Sequence, residues 1–406
     1  MERTQSHSVT NVKFHPSNAS EAVDHILHYA VKQGASDIHI GHSVSSHGQM
    51  ESLLRFRIFG KLKVVQSEFL SQLYKEIVTR LKVMANLNIS ETQVPQDGQI
   101  SISVGTHPIE LRISTIPSDK IEEVVIRIQN SSLRKYALVE IYMRSEMRNQ
   151  CKNLLTQKSG LILVSGPAGS GKTTLVYSML SEIATSEKKT ITVEDPVEVH
   201  LPFVTHTQIS HKSSYAIMAR SFLRQNADTI FLGEIRDEES ADSAIQLAQT
   251  GHLVISTLHT RDSFGVVPRL EALNIHPNFI SNTLIGSMNC RLVPQLCASC
   301  KKPAQHNEKI LGQLNVIMTM PKDTQIFEKG SGCPKCSHGV SGLIHLLELF
   351  LPDAEINDMV NRKASRNQII EYARKHGMRN LAEDGVLKVY NGLIDFEAVK
   401  PYLSVV

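Results

Sequence analysis

The chain has 406 residues, 41% hydrophobic and 20% charged, with a formal net charge of +3 and a pI near 8.4. This length suits two or three domains with real cores, and the composition is that of a soluble globular protein. It excludes a membrane-spanning class, since no apolar run approaches the roughly 20 residues needed, and the weak net charge argues against direct recognition of nucleic acid.

The opening residues, MERTQSHSVTNVKFHP, lack the apolar stretch of a signal peptide, so the protein is expected to stay in the cytoplasm. Residues 20–33, SEAVDHILHYAVKQ, predict an amphipathic helix with Ser20 as cap and Gly34 as stop. SDIHIGHS and LLRFRIF alternate as strands do, FLSQLYKEIVTRLKVMANL predicts a helix, and QISISV, IELRIST and VVIRIQ predict more strands. This mixture predicts an α+β domain over residues 1–133, then a linker over 134–145.

A helix around 145–158 leads into LILVSG, the first of several wholly apolar strands. ITVED, TIFLGE and LVISTLH follow, separated by the helical patterns SSYAIMARSFLRQ and ESADSAIQLAQ. Short runs buried on both faces and alternating with helices predict a parallel α/β sheet, here over 146–296. Residues 297–345 carry two cysteine pairs, and 346–406 predict helices, of which SRNQIIEYARKHG is the clearest.

The run Gly166, Pro167, Ala168, Gly169, Ser170, Gly171, Lys172, Thr173 fits G-x-x-x-x-G-K-[ST] between a predicted strand and a predicted helix, and with Thr174 next in line it is the expected nucleotide-binding segment. Its glycines allow backbone N–H groups to curl around phosphate oxygens. Lys172 supplies a point charge to the β and γ phosphates, and Thr173 a hydroxyl for Mg²⁺. The motif predicts ATP binding. Such a loop needs carboxylates to order water and the metal's shell. Glu234 stands at the end of one apolar strand; Glu194 and Asp195, with Glu198 after them, stand at the end of another. Strand ends are where open α/β sheets bind ligands, although ordinary loop carboxylates would read the same way.

His252 and His259 flank LVISTL in TGHLVISTLHT. Seven residues of strand put them on the order of 20 Å apart and on opposite faces, so one metal ion cannot join them. His259 belongs at the C-terminal edge, with the phosphate loop and the acids; His252 belongs at the far edge, where it reads equally as a packed or capping residue. CASC, with Cys297 and Cys300, and CPKC, with Cys333 and Cys336, bracket 32 residues. Two such knuckles can surround one structural Zn²⁺ with four thiolates, leaving no open position for catalysis; disulfides or idle thiols are the alternative.

In their order, SDIHI, PQDGQI, LRISTIPS, VVIRI, GPAGSGKTT, ITVEDPVEVHLP, LRQNADTIFLGEIRD and TGHLVISTLHT resemble the secretion ATPases of type II secretion, type IV pili and competence pili. The resemblance implies a PAS-like N-terminal domain, a RecA-like ATPase core and a homo-hexamer at the cytoplasmic face of the membrane. It also implies a polytopic inner-membrane platform protein as partner, with pilin subunits acted on indirectly. The Walker A loop, an acidic box (Glu194, Asp195, Glu198), a Walker B segment ending in Glu234 and a His box (His252, His259) follow from it. Within it, Glu194 is expected as general base, Glu234 as the acid near Mg²⁺, and His259 as a γ-phosphate contact; the reverse assignment of the two glutamates stays open. Arg112 and Arg127 are expected to approach the phosphates, and strand alternation lets both guanidiniums share one polar face if their strands pair.

The resemblance reinforces zinc, since assembly-type members carry four cysteines here and retraction-type members generally lack them. Three positions depart from the family: Ile121 where glycine is expected, Phe59 where an acid is usual, and Leu343 where an arginine is expected. A chain that starts close to SDIHI and keeps its cysteines resembles the competence-pilus assembly ATPase of Gram-positive bacteria. The expected function is therefore ATP-driven assembly of a competence pilus or pseudopilus for DNA uptake. A pilus retraction or type II secretion motor is the alternative; from other classes come a DNA translocase and a nucleotide-gated scaffold.

Overall fold

The computed structural model describes residues 10–11, 14–44, 50–104, 107–118, 121–129, 136–210, 213–319, 321 and 323–403. They fall into two compact units, Met1–Arg134 and Lys135–Val406. The opening residues 1–9 and two positions of the PSDKIEE turn lie outside the described residues.

The N-terminal unit contains β1 (Thr10–Asn11), α1 (Ala19–Lys32), β2 (Asp37–Val44), β3 (Met50–Ile58), β4 (Lys61–Gln66), α2 (Phe69–Met84), β5 (Gln96–Val104), β6 (His107–Pro117) and β7 (Glu122–Gln129). Its strands form one sheet in the order β1-β4-β3-β2-β7-β6-β5. One face buries Ile38, Ile40, Phe56, Leu111, Ile113 and Ile126 against Ile26 and Leu27 of α1 and Ile77 and Leu81 of α2. Alternation along the strands sends the charged residues to the other face. Asn18, not Ser20, caps α1: its backbone is extended, its side chain accepts from Glu21 N at 3.0 Å, and Ser20 already lies inside the first turn. Gly34 follows the helix with φ +67°, a left-handed turn suited to glycine.

The C-terminal unit begins with a short 3₁₀ turn, Leu138–Glu140, and α3 (Ser145–Leu155). The described part of the expected linker is packed rather than free. Leu138, Ile141 and Met143 are buried, and Arg148 donates to Leu138 O and Ile141 O at 2.5 and 2.8 Å. Then come β8 (Gly160–Ser165), α4 (Lys172–Ile183), β9 (Thr190–Glu194), β10 (Val204–Gln208), α5 (Tyr215–Phe222), β11 (Thr229–Leu232), α6 (Glu238–Gln249) and β12 (Leu253–Leu258). After α7 (Val266–Ala272) and α8 (Pro277–Thr283), β13 (Leu284–Leu296) re-enters the sheet, whose order is β10-β9-β11-β12-β8-β13-β16. All neighbours are parallel except β16 (Val340–Phe350), which runs antiparallel to β13.

Between β13 and β16 lie β14 (Lys302–Pro303), α9 (Asn307–Leu314) and β15 (Phe327–Glu328); after β16 come α10 (Ala354–Asn361), α11 (Arg366–Lys375), α12 (Leu381–Tyr390) and α13 (Phe396–Leu403). β16 runs across the boundary expected between 345 and 346, because its length pairs with β13 and buries His345, Leu346, Leu347, Glu348, Leu349 and Phe350. The cysteine-bearing segment is likewise continuous with the last helices: Leu311, Leu314 and Ile326 share a core with Leu381, Val389 and Val399. Among the described residues no helix is long and apolar enough to cross a membrane.

Candidate nucleotide and metal sites

The parallel sheet brings the C-terminal ends of β8, β9, β11 and β12 to one edge, where ligands bind in this architecture. Gly166, Gly169 and Gly171 of the phosphate loop adopt φ of +147°, +72° and +89°. Two of them also need the absence of a side chain. A Cβ on Gly166 would lie 2.6 Å from Cys290 O, and one on Gly171 would lie 2.4 Å from His345 Nε2. Gly171 caps α4 and makes no side-chain cap bond to its first turn, so the start of this helix is suited to an anion. Lys172 Nζ donates to Gly166 O at 2.9 Å and Pro167 O at 3.1 Å. Burial holds its pKa below the ordinary lysine value.

Lys172, Thr173, Glu194, Asp195, Glu198, Glu234 and His259 line one cleft of ≈ 180 Å³. The two candidate glutamates sit there in different environments. Glu194 is only 4% exposed. Its Oε1 accepts from Thr192 Oγ1 at 2.6 Å and lies 2.9 Å from His206 Nδ1, and its Oε2 accepts from the Tyr177 hydroxyl. Burial, followed by the Glu194 charge, pushes the Tyr177 hydroxyl pKa upward, so tyrosine stays a donor. Its oxygen also accepts from Glu198 N and Val199 N at 3.3 and 3.4 Å, tying α4 to the acidic loop.

Glu234, more accessible, has His259 Nε2 2.9 Å from Oε1 and Arg236 Nε 2.8 Å from Oε2. The bond to Glu234 raises the pKa of Arg236. Asp195 and Glu198 are exposed at the rim. His252 stands at the opposite end of β12: its Nδ1 lies 3.1 Å from Leu247 O, and its carbonyl accepts from Gly160 N. The two histidines of TGHLVISTLHT therefore share no site.

Sequence reasoning missed Tyr177, Thr192, His206 and Arg236. Thr192 was within reach of it, since a residue two before Glu194 points to the same side of a strand. His206 was not, because only the β10–β9 register, which pairs it with Thr192, brings it to the glutamate.

In the N-terminal unit, cross-strand pairing places Arg57, Asp37, Arg127, Arg112 and Gln99 in one row from β3 to β5. Arg112 and Arg127 are direct partners and share a face. Asp37 binds both Arg127 Nε, at 3.1 Å, and Arg57 Nε, at 3.3 Å. Of the three departures, Phe59 takes φ +48° in the turn between β3 and β4, a backbone state unusual for an aromatic residue. Ile121 O accepts from Ser118 N at 2.7 Å across its turn, and Leu343 is exposed on β16.

The sulfurs of Cys297, Cys300, Cys333 and Cys336 lie within 4.8 Å of one another. Three separations are 3.7, 3.6 and 3.7 Å. Four thiolates about 2.3 Å from one Zn²⁺ in a tetrahedron would be about 3.8 Å apart, whereas a disulfide needs about 2.05 Å. The cluster can hold a metal ion. Gly330 is part of its frame, since a Cβ there would meet Cys300 O at 1.8 Å.

The family described as type II/IV secretion system protein matches residues 16–400. The chain is 37% identical over 382 residues to the type II secretion system ATPase E of Vibrio cholerae, covering 93% of this chain and 74% of that protein. It is 34% identical over 386 residues to the type IV pilus assembly ATPase PilB of Thermus thermophilus, covering 94% and 43%. Among solved structures, the ATPase DotB of Legionella pneumophila matches with a TM-score of 0.73 at 18% identity, over 98% of this chain and 100% of that one, a likeness of fold.

Proposed function

The chain belongs to the type II/IV secretion system protein family and is an ATP hydrolase, and on that premise we propose that it is the assembly motor of a type IV-like competence pilus or pseudopilus for DNA uptake. It would work as a homo-hexamer at the cytoplasmic face of the membrane. There it would drive a polytopic platform protein and, through it, the pilin subunits, without binding nucleic acid itself. The observation that carries assembly over retraction is the four-thiolate cluster, together with its shared core with the last helices. A type II secretion motor is the second reading, favoured by the similarity to the Vibrio cholerae ATPase.

In this reading the glycines and the start of α4 would hold the ATP phosphates, and Thr173 and Glu234 would hold Mg²⁺ and its water. Bound there, the ion would offset negative charge on the phosphates. Glu194 takes the proton from the attacking water, and His259 reports the γ-phosphate through its contact with Glu234. Arg112 and Arg127 supply charge to the phosphates in the role the family resemblance implies; their shared face supports treating them as a pair. Zn²⁺ on the four cysteines is structural.

Two experiments test this. Complementing a gene deletion with Lys172→Ala should give neither surface pili nor DNA uptake; unchanged uptake, or loss of secreted enzymes alone, rejects the competence reading. Metal analysis should find about one Zn²⁺ per chain. Cys333→Ser should lose that ion and lower the melting temperature, because apparent binding energies of structural zinc are on the order of 10 kcal/mol in small domains. A variant that melts unchanged would exclude a structural zinc.

A further inference from the structure

His206 sits on the edge strand β10, its side chain almost fully buried, at 1% exposure. Its two ring nitrogens have different partners. Leu201 N donates to Nε2 at 3.0 Å, so Nε2 carries no hydrogen. The hydrogen is therefore on Nδ1, which lies 2.9 Å from Glu194 Oε1 and 3.0 Å from Thr192 Oγ1. The histidine is a neutral donor with a defined tautomer, set by a backbone amide on the loop before β10.

A carboxylate oxygen accepts about two hydrogen bonds. With Thr192 and His206 both on Oε1, that oxygen is saturated. Among the described residues Oε2 accepts only from Tyr177, which leaves one acceptor direction on Glu194. Rotation about the last side-chain bond would exchange the two oxygens, and the paired donors on Oε1 oppose it.

We propose that His206 is a positioning residue for hydrolysis: with Thr192 it occupies Glu194 Oε1, so that Oε2 is the atom that accepts the proton of the attacking water. The proposal rests on Glu194 being the base. It assigns the edge strand, which contributes no residue to the cleft lining, a part in the chemistry: a shift of β10 or of the Leu201 loop would turn the carboxylate before disturbing the phosphate loop.

The test uses the full chain, with steady-state Mg-ATP hydrolysis and titration of a fluorescent ADP. His206→Leu keeps approximate volume but offers neither donor nor acceptor. It should lower kcat about ten- to a hundredfold, as small misplacements of catalytic groups do, with KM and ADP affinity within about twofold. His206→Gln should recover most of the loss, since one amide can donate to Glu194 while its carbonyl accepts from Leu201 N. Thr192→Val, which removes the other Oε1 donor, should show a smaller loss of the same kind and serves if His206→Leu does not fold. In a Glu194→Gln background, His206→Leu should change kcat no further.

A kcat for His206→Leu above half of wild type overturns the proposal, as does a loss confined to KM or a glutamine variant as slow as the leucine one. The two failures are separable. Wild-type turnover in Glu194→Gln would remove the base assignment itself, whereas an inactive Glu194→Gln beside a fully active His206→Leu would remove only the role of His206.

Discussion

Lys172→Ala should lower ATP turnover about a thousandfold, roughly 4 kcal/mol of transition-state stabilisation, while the protein folds normally. The lysine opens α4 and its ammonium lies against two carbonyls of its own loop, 2.9 and 3.1 Å away. Those bonds hold the cation at the mouth of the cleft that also contains Thr173, Glu194 and Glu234. Among the described residues Lys172 is the only lysine lining that cleft, and its loss leaves two loop carbonyls that water can satisfy. Phosphate charge that develops during transfer then lacks a compact cation. Single-turnover hydrolysis and thermal melting together check this: a variant that keeps more than a tenth of wild-type turnover contradicts the placement, as does one whose inactivity follows a collapsed melting transition.

Glu194→Gln should lower kcat by about a hundred- to ten-thousandfold with little change in ATP binding. The surroundings of the side chain explain why glutamine is not a mild replacement. Thr192 and His206 both present hydrogens to one oxygen, so the amide oxygen must face them and the NH₂ must face Tyr177. The tyrosine oxygen already accepts from Glu198 N and Val199 N. Two donors then oppose each other in a buried site, and the acidic loop must shift. Glu234→Gln is expected to behave differently. It weakens the contacts with Arg236 and His259, so the Mg²⁺ concentration needed for half-maximal rate should rise along with a fall in kcat. Magnesium titrations of the two variants separate the roles; a raised Mg²⁺ requirement in Glu194→Gln with wild-type behaviour in Glu234→Gln would exchange them.

Much of the architecture was legible because short-range chemistry specifies it. GPAGSGKT between an apolar run and a helical one allows few local structures, and the backbone of Gly166, Gly169 and Gly171 shows why those positions are glycine. The short, largely apolar strands β8, β9, β11 and β12, every residue of which is buried, announced a sheet covered on both faces. Local signals failed where several were equivalent, as with Asn18 and Ser20 before α1. They failed also for β13 and β16, whose mixed residues carry neither alternation nor a bounded apolar run; both are strands because the sheet edge pairs them.

The sequence by itself determined which residues could do chemistry: the phosphate loop, the strand-end acids, the two CxxC pairs, and the separation of His252 from His259. These depend on spacing along one element, where a period of two or 3.6 residues settles direction. The tertiary structure alone decided how those residues are held. Sheet register sets His206 beside Thr192 and Glu194, α4 carries Tyr177 to the opposite oxygen, and β11 and β12 bring Glu234 to His259. Contacts between residues far apart in the chain depend on how whole elements pack, and no local pattern encodes that packing. The glutamates at the ends of β9 and β11 were visible as carboxylates; that one is buried among donors and the other open to a histidine and an arginine was not.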